Sequence, residues 1–128
     1  MIYIDTSAML KLVHPEPESM PLRTWLARRP GDLVSSALIR TEARRAILRN
    51  DPAALPHLPA VLAVIAQIPV TESILDRATQ LADPGLRTLD AIHLASAAAI
   101  PDITALLAYD KRLTEAARTM GLAVASPA

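Results

Sequence analysis

Short apolar segments alternate with stretches of helical spacing along this whole chain, and that alternation restricts the fold more than any other feature. Met1 to Asp5, Leu33-Val34, Ile68 to Val70, Ile103 to Tyr109 and Leu122 to Val124 read as strands, with Ile103 to Tyr109 the longest. Between them, Ala8 to Val13 reads as a short helix stopped near Pro15 and Pro17, and Leu22, Trp25 and Leu26 share a helical face. Ser36 is placed to cap a helix running to about Arg49, and Thr71 one carrying Ile74, Leu75, Ala78 and Leu81. A further helix is expected from Thr88 to Ala99, ended by Pro101, and another from Leu113 to Met120 with Gly121 just beyond it. The prolines between Pro52 and Gln67 allow an uneven helical hairpin at best. Strands that alternate with helices and are apolar on both sides predict an α/β fold, a central, mostly parallel sheet flanked by helices on both faces.

The 128 residues are expected to form a single domain, 1–128, and a hydrophobic content of 52% suffices for its core. The absence of cysteine removes disulfides, thiolate zinc sites and thiol nucleophiles. The first residues lack the basic flank and apolar run of a signal peptide, and the longest apolar stretch, Leu58 to Ile68, is broken by Pro59 and Gln67. A soluble, cytoplasmic protein with no membrane partner is expected. Lys plus Arg and Asp plus Glu both number 13, which argues against a protein that coats nucleic acid non-specifically. The charge is unevenly placed, however. Between Arg23 and Arg49 stand seven arginines, opposed only by Asp32 and Glu42. Guanidinium groups suit bidentate contacts with phosphate, although a GC-rich genome would give the same bias.

Four acids stand beside apolar stripes, where an unpaired carboxylate is costly. Asp5 and Asp110 each follow an apolar strand, and the carboxyl edge of a parallel sheet commonly forms a site. Glu42 has Leu38, Ile39 and Ala46 at helical spacing, and Asp90 shares a face with Leu86, His93, Leu94 and Ala97. Each alone has a plainer explanation. Asp5 or Asp110 caps the next helix, Glu42 pairs with Arg45, and Asp90 caps or pairs with Arg87. Taken together, the four suggest one acidic pocket. Oxygen ligands without soft neighbours select hard cations, so Mg²⁺, with Mn²⁺ as a substitute, fits better than zinc. Such a site supplies an activated water and charge relief, as phosphodiester hydrolysis requires.

Other candidates carry less. Thr6 and Ser7 are placed to bond Asp5 or a nearby water, or to cap the first helix. His93 lies on an inward helical face and reads as a hydrogen-bonded core histidine. Neither a paired-histidine zinc motif, a glycine-rich phosphate loop nor a nucleophile elbow is present.

Met-Ile-Tyr-Ile-Asp-Thr-Ser-Ala at the start, Ser35-Ser36 leading to Thr41-Glu42, Leu86 to Ala95, and Tyr109 to Leu113 together resemble the PIN-domain nucleases, and among them the VapC toxins of bacterial toxin–antitoxin pairs. The resemblance covers nearly the whole chain and leaves Pro52 to Pro69 unassigned. It implies a PIN-like fold and a magnesium-dependent endoribonuclease acting on structured RNA, often transfer or ribosomal RNA. It also implies a homodimer and a VapB-like antitoxin that fills the active-site groove. Asp5, Glu42, Asp90 and Asp110 would be the catalytic, metal-holding acids, and Thr6 would position Asp5 or an attacking water. Two alternatives stay open. One is a PIN nuclease of RNA processing that is not a toxin. The other is a Mg²⁺-binding phosphotransfer or regulatory domain in which Asp5 accepts the phosphoryl group.

Overall fold

The computed structural model describes residues 1–128. Five strands, β1 (Ile2–Ile4), β2 (Leu33–Ser36), β3 (Ile65–Ile68), β4 (Ala105–Leu107) and β5 (Val124–Ala125), form one sheet in the order β3-β2-β1-β4-β5. Every adjacent pair is parallel. The helices are α1 (Thr6–Val13), α2 (Ser19–Ala27), α3 (Leu38–Asn50), α4 (Leu58–Ala63), α5 (Glu72–Thr79), α6 (Thr88–Ala98) and α7 (Lys111–Thr119). None is long and apolar enough to cross a membrane.

The pleat of β1 explains the two-sided core. Ile2 and Ile4 point to one face, where Met9 of α1, Leu22 of α2, and Ile39, Ala43 and Ile47 of α3 join them in one buried cluster. Tyr3 points to the other face, among Leu94 and Ala97 of α6 and Leu113 and Ala117 of α7. Helix α6 is buried at six consecutive residues, Ile92 to Ala97, which is why its sequence is apolar nearly all round.

Several boundaries differ from the sequence expectation. Segment 52–67 is not a helical hairpin: a 3₁₀ turn (Pro52–His57) and α4 lead into β3, which begins at Ile65 rather than Ile68. The register with β2, from Leu33 opposite Ile65 to Ser36 opposite Ile68, sets that start. An edge strand pairs on one side only, so it tolerates the polar Gln67 that hid it. β4 is three residues long, not the seven of Ile103 to Tyr109, because only Ala105 to Leu107 face β1 in register. The final strand likewise sits at Val124–Ala125. Ser36 belongs to β2, and the residue before α3 is Ala37, which has no capping side chain; Ser36 Oγ still accepts the Leu38 N–H at 3.2 Å.

Strand order places the site. From β1 the chain builds outward through β2 to β3, then crosses by way of α5 and α6 to β4 on the opposite side of β1. The sheet therefore reverses its direction of growth between β1 and β4. Outside the carboxyl ends of two such strands the connections diverge, and a crevice opens between them.

Candidate active site and metal centre

Asp5 follows β1 directly and caps α1, its Oδ1 accepting the Ala8 N–H at 2.9 Å. Ser7 Oγ lies 2.7 Å from Oδ1 and 2.9 Å from Oδ2, and it accepts the Tyr109 N–H at 3.0 Å. One serine thus ties the exit of β4 to the acid at the exit of β1. Asp5 is only 3% exposed, and burial pushes its carboxyl from 3.8 up to about 6 against the pull of the Ala8 and Ser7 bonds. The neighbouring Asp90 charge adds to the rise.

Glu42, in α3, stands across the crevice. Its Oε1 accepts from Thr6 Oγ1 at 2.9 Å and pairs with His93 Nε2 at 2.5 Å. Burial acts to raise the Glu42 carboxyl, but the hydrogen bonds from His93 and the Thr6 hydroxyl oppose it, and the group is held below its usual value.

Asp90 lies in the first turn of α6, and Asp110 caps α7 through Oδ1, which accepts the Leu113 N–H at 3.0 Å. Arg87 spans the two. Its Nε lies 3.3 Å from Asp90 Oδ2 and its Nη2 lies 3.2 Å from Asp110 Oδ2, with the side chain 78% exposed. Burial raises the Asp90 carboxyl; Arg87 pulls it down, and Asp110 pushes it further up.

All four acids line one cavity of about 610 Å³, with Thr6, Ser7 and His93 in its wall and Arg45, Arg49 and Arg87 among its lining residues. The four are brought together, but loosely: no three carboxylate or imidazole groups converge closely enough to complete a cation's shell as they stand. Each acid takes a local donor: Ser7 and the Ala8 amide at Asp5, Thr6 and His93 at Glu42, and Arg87 at Asp90 and Asp110. The donor set still fits a hard cation. It is all carboxylate oxygen, and a guanidinium already bridges two of its members.

The capping and pairing readings of Asp5, Asp110 and Asp90 all hold, yet each acid also faces the shared cavity. Glu42 pairs with His93 rather than with Arg45. Thr6 does not hold Asp5: its hydroxyl goes to Glu42, and Ser7 takes the place beside Asp5. As expected, His93 is buried and hydrogen-bonded, but its partner Glu42 makes it part of the cavity wall. Its position three residues after Asp90, on the same helical face, was the available signal.

With that geometry in place, residues 2–119 match the family model of the PIN domain. The chain belongs to the PIN-domain family. This PIN domain is 43% identical to ribonuclease VapC35 of Mycobacterium tuberculosis over 131 residues, 99% of this chain and 97% of that protein. It is 44% identical to ribonuclease VapC46 of the same organism, covering 98% of this chain and 97% of the relative. Two solved structures share the fold at lower identity. The Mycobacterium tuberculosis sarcin–ricin-loop-cleaving toxin VapC20 has a TM-score of 0.74 at 17% identity, covering 91% of this chain and 95% of that one. A toxin–antitoxin complex from Klebsiella pneumoniae has a TM-score of 0.76 at 19% identity, covering 100% and 98%.

Proposed function

We propose that this PIN domain is a magnesium-dependent endoribonuclease, the toxin of a VapBC-like pair, which cleaves structured cellular RNA such as transfer or ribosomal RNA and so halts growth. The observation that carries the reading is the convergence of Asp5, Glu42, Asp90 and Asp110 on one cavity, at the point where the sheet reverses, with arginines on the same lining. The names of its relatives, ribonucleases VapC35 and VapC46, support the activity.

Asp5 and Asp90 would hold the cation directly, with Glu42 and Asp110 completing the set. When bound, the cation supplies Lewis-acid polarisation and relief of charge at the scissile phosphate. The chain's own residues do the rest. Glu42, kept ionised by its donors, has Oε2 outside the site's hydrogen bonds, available to orient and deprotonate the attacking water. Arg87, 78% exposed on the same lining, is placed to grip phosphate. Arg45 and Arg49, three and seven residues beyond Glu42, form a ladder on α3 for the RNA backbone. With one Trp and two Tyr in the chain, recognition rests on backbone shape rather than base stacking.

A VapB-like antitoxin that covers the cavity fits the same reading, since the lining adds Leu10, Leu38 and Leu89 to its acids. A single domain spanning 1–128, acting in the cytoplasm as a homodimer, completes it. The deciding experiment incubates purified protein with structured RNA in Mg²⁺, in Mn²⁺ and in EDTA, and maps the new 5′ ends. Cleavage at discrete sites that stops in EDTA supports the reading. Undiminished cleavage in chelator, or acid-labile phosphate on Asp5 from a phosphodonor without any cleavage, overturns it. Growth arrest on expression, relieved by the product of an adjacent antitoxin gene, separates a toxin from a processing nuclease.

A further inference from the structure

A buried polar chain runs beneath the cavity. The Ser36 backbone N–H donates to Tyr3 Oη at 3.0 Å, Tyr3 Oη lies 2.7 Å from His93 Nδ1, and His93 Nε2 lies 2.5 Å from Glu42 Oε1. Tyr3, Ser36 and His93 are all at most 1% exposed. Burying hydroxyl and imidazole groups costs free energy that their bonds only partly return, and an apolar layer of equal volume is often as stable. Most of the remaining buried α6 surface is apolar, Ile92, Leu94, Ala95 and Ala97, and the one other polar group, Ser96, bonds back to the Ile92 carbonyl at 2.7 Å. A polar chain kept here and ending on a cavity carboxylate calls for a role beyond packing.

We propose that Tyr3 and His93 are positioning residues that fix Glu42 for the reaction; this rests on the ribonuclease reading above. The proton assignment is self-consistent. A carboxylate oxygen only accepts, so Nε2 opposite Glu42 Oε1 must carry the hydrogen. In that tautomer Nδ1 is bare and needs a donor, which the Tyr3 hydroxyl supplies. Tyr3 in turn is oriented by the backbone amide of Ser36, the last residue of β2. The chain therefore runs from sheet backbone to Glu42 with every proton pointing toward the cavity. Thr6 and His93 both engage Oε1, so Oε2 is left for the cation or the attacking water. The imidazole transmits the position of the sheet to an acid carried on α3. Groups that orient a metal-holding side chain typically change metal affinity 10–100-fold when removed.

The test uses Mn²⁺ alone as the probe, titrated calorimetrically into RNA-free parent, Tyr3→Phe, His93→Leu and His93→Gln. Thermal melting of each and ¹⁵N spectra of His93 are recorded alongside. We expect the parent to show the Nε2–H tautomer with a hydrogen-bonded Nδ1, and Tyr3→Phe to lose the Nδ1 hydrogen-bond shift and bind Mn²⁺ several-fold more weakly. His93→Leu should bind about tenfold more weakly. His93→Gln, whose amide still offers a donor to Glu42, should recover most of the affinity. In RNA cleavage the same order should appear in kcat, with KM little changed. Should His93→Leu fail to fold, Tyr3→Phe, which removes one buried oxygen, decides the matter. Folded Tyr3→Phe and His93→Leu proteins that bind Mn²⁺ and cleave like the parent overturn the inference and make the chain a structural filler. A parent that neither binds Mn²⁺ nor loses cleavage in chelator overturns the metal-centre reading itself, and the positioning role with it.

Discussion

The inner and outer halves of the carboxylate cavity are held by opposite means. Asp5 and Glu42 are fixed by neutral or buried donors: the Ser7 and Thr6 hydroxyls, the Ala8 amide and a histidine anchored to the sheet. Asp90 and Asp110 instead share one arginine, 78% exposed, whose side chain is free to leave. Exposed ion pairs of this kind contribute roughly 0–1 kcal/mol each. The inner half is thus braced by the fold itself, whereas Asp90 and Asp110 are joined through one exposed side chain. On the proposed reading, Asp5 and Glu42 would offer a cation a braced wall, while Asp90 and Asp110 would offer it oxygens now shared with Arg87.

Removing single acids should expose the asymmetry most strongly. Asp5→Asn and Asp90→Asn are each expected to fold and to lose at least about a hundredfold in RNA cleavage, the scale of a lost catalytic electrostatic group. Asp110, on the proposed reading, completes the set rather than holding the cation directly. Asp110→Asn should therefore lose less, about tenfold, by single-turnover rates at saturating Mg²⁺. Equal losses at Asp90 and Asp110 would break the distinction, because Asp110 would then count as much at the cation as Asp90.

Smaller effects are expected at the arginines, and they differ in kind. Arg49→Ala should weaken RNA binding and lower the slope of log affinity against log salt by about one, the signature of one lost phosphate contact. Arg87→Ala should move two measurements in opposite directions. Mn²⁺ affinity of the RNA-free protein should rise about threefold, since a competing cation is gone and an exposed pair is worth little. RNA binding should fall. If Mn²⁺ affinity drops instead, Arg87 holds the acids in place rather than standing in for the ion, and the outer half is preorganised after all.

The same inner–outer difference explains which features were legible from sequence. Asp5, Asp90 and Asp110 follow strands or open helices, so a linear pattern of apolar runs and breaks locates them. Glu42 was legible from Leu38, Ile39 and Ala46 around it. What was hidden is who bonds whom. Thr6 and Glu42 are 36 positions apart, and Tyr3 and His93 are 90 apart; only the pairing of β1 with β2 and the packing of α6 bring them together. Tyr3 looked like part of an apolar strand because its ring is. Likewise β3 was misplaced because Ile65-Ala66-Gln67-Ile68 has no alternation of its own; its identity as a strand comes from its register with β2.

The smallest effect is on stability, and its sign follows from the inner half. The Asp5 carboxyl is pushed by burial from 3.8 to about 6, so between those pH values the folded chain holds a proton that the unfolded chain has released. Stability should therefore fall as pH rises through that window, and the full penalty persists above it. Glu42 acts in the opposite sense. Its value is lowered from 4.5, so the stabilisation it provides is present above that pH and fades as pH falls through the folded value. Asp5→Asn removes the first contribution and leaves the second. A shift of about two units corresponds to roughly 3 kcal/mol at neutral pH, from which the weakened Ser7 and Ala8 bonds subtract. A net gain of about 1 kcal/mol, or roughly 3–5 °C in Tm, is expected for the variant in EDTA at pH 7.5, shrinking as pH falls and turning to a net loss near pH 4, where only the weakened bonds remain. Mg²⁺ should raise the parent's Tm by mass action and the variant's much less, because the variant lacks a ligand. Melting curves of both proteins across pH 4 to 8, with EDTA or Mg²⁺, measure all of this. If Asp5→Asn melts lower than the parent at every pH, then Asp5 serves the fold as a cap first. The rigid inner half would then be held by structural demand rather than kept, at a cost in stability, for a cation.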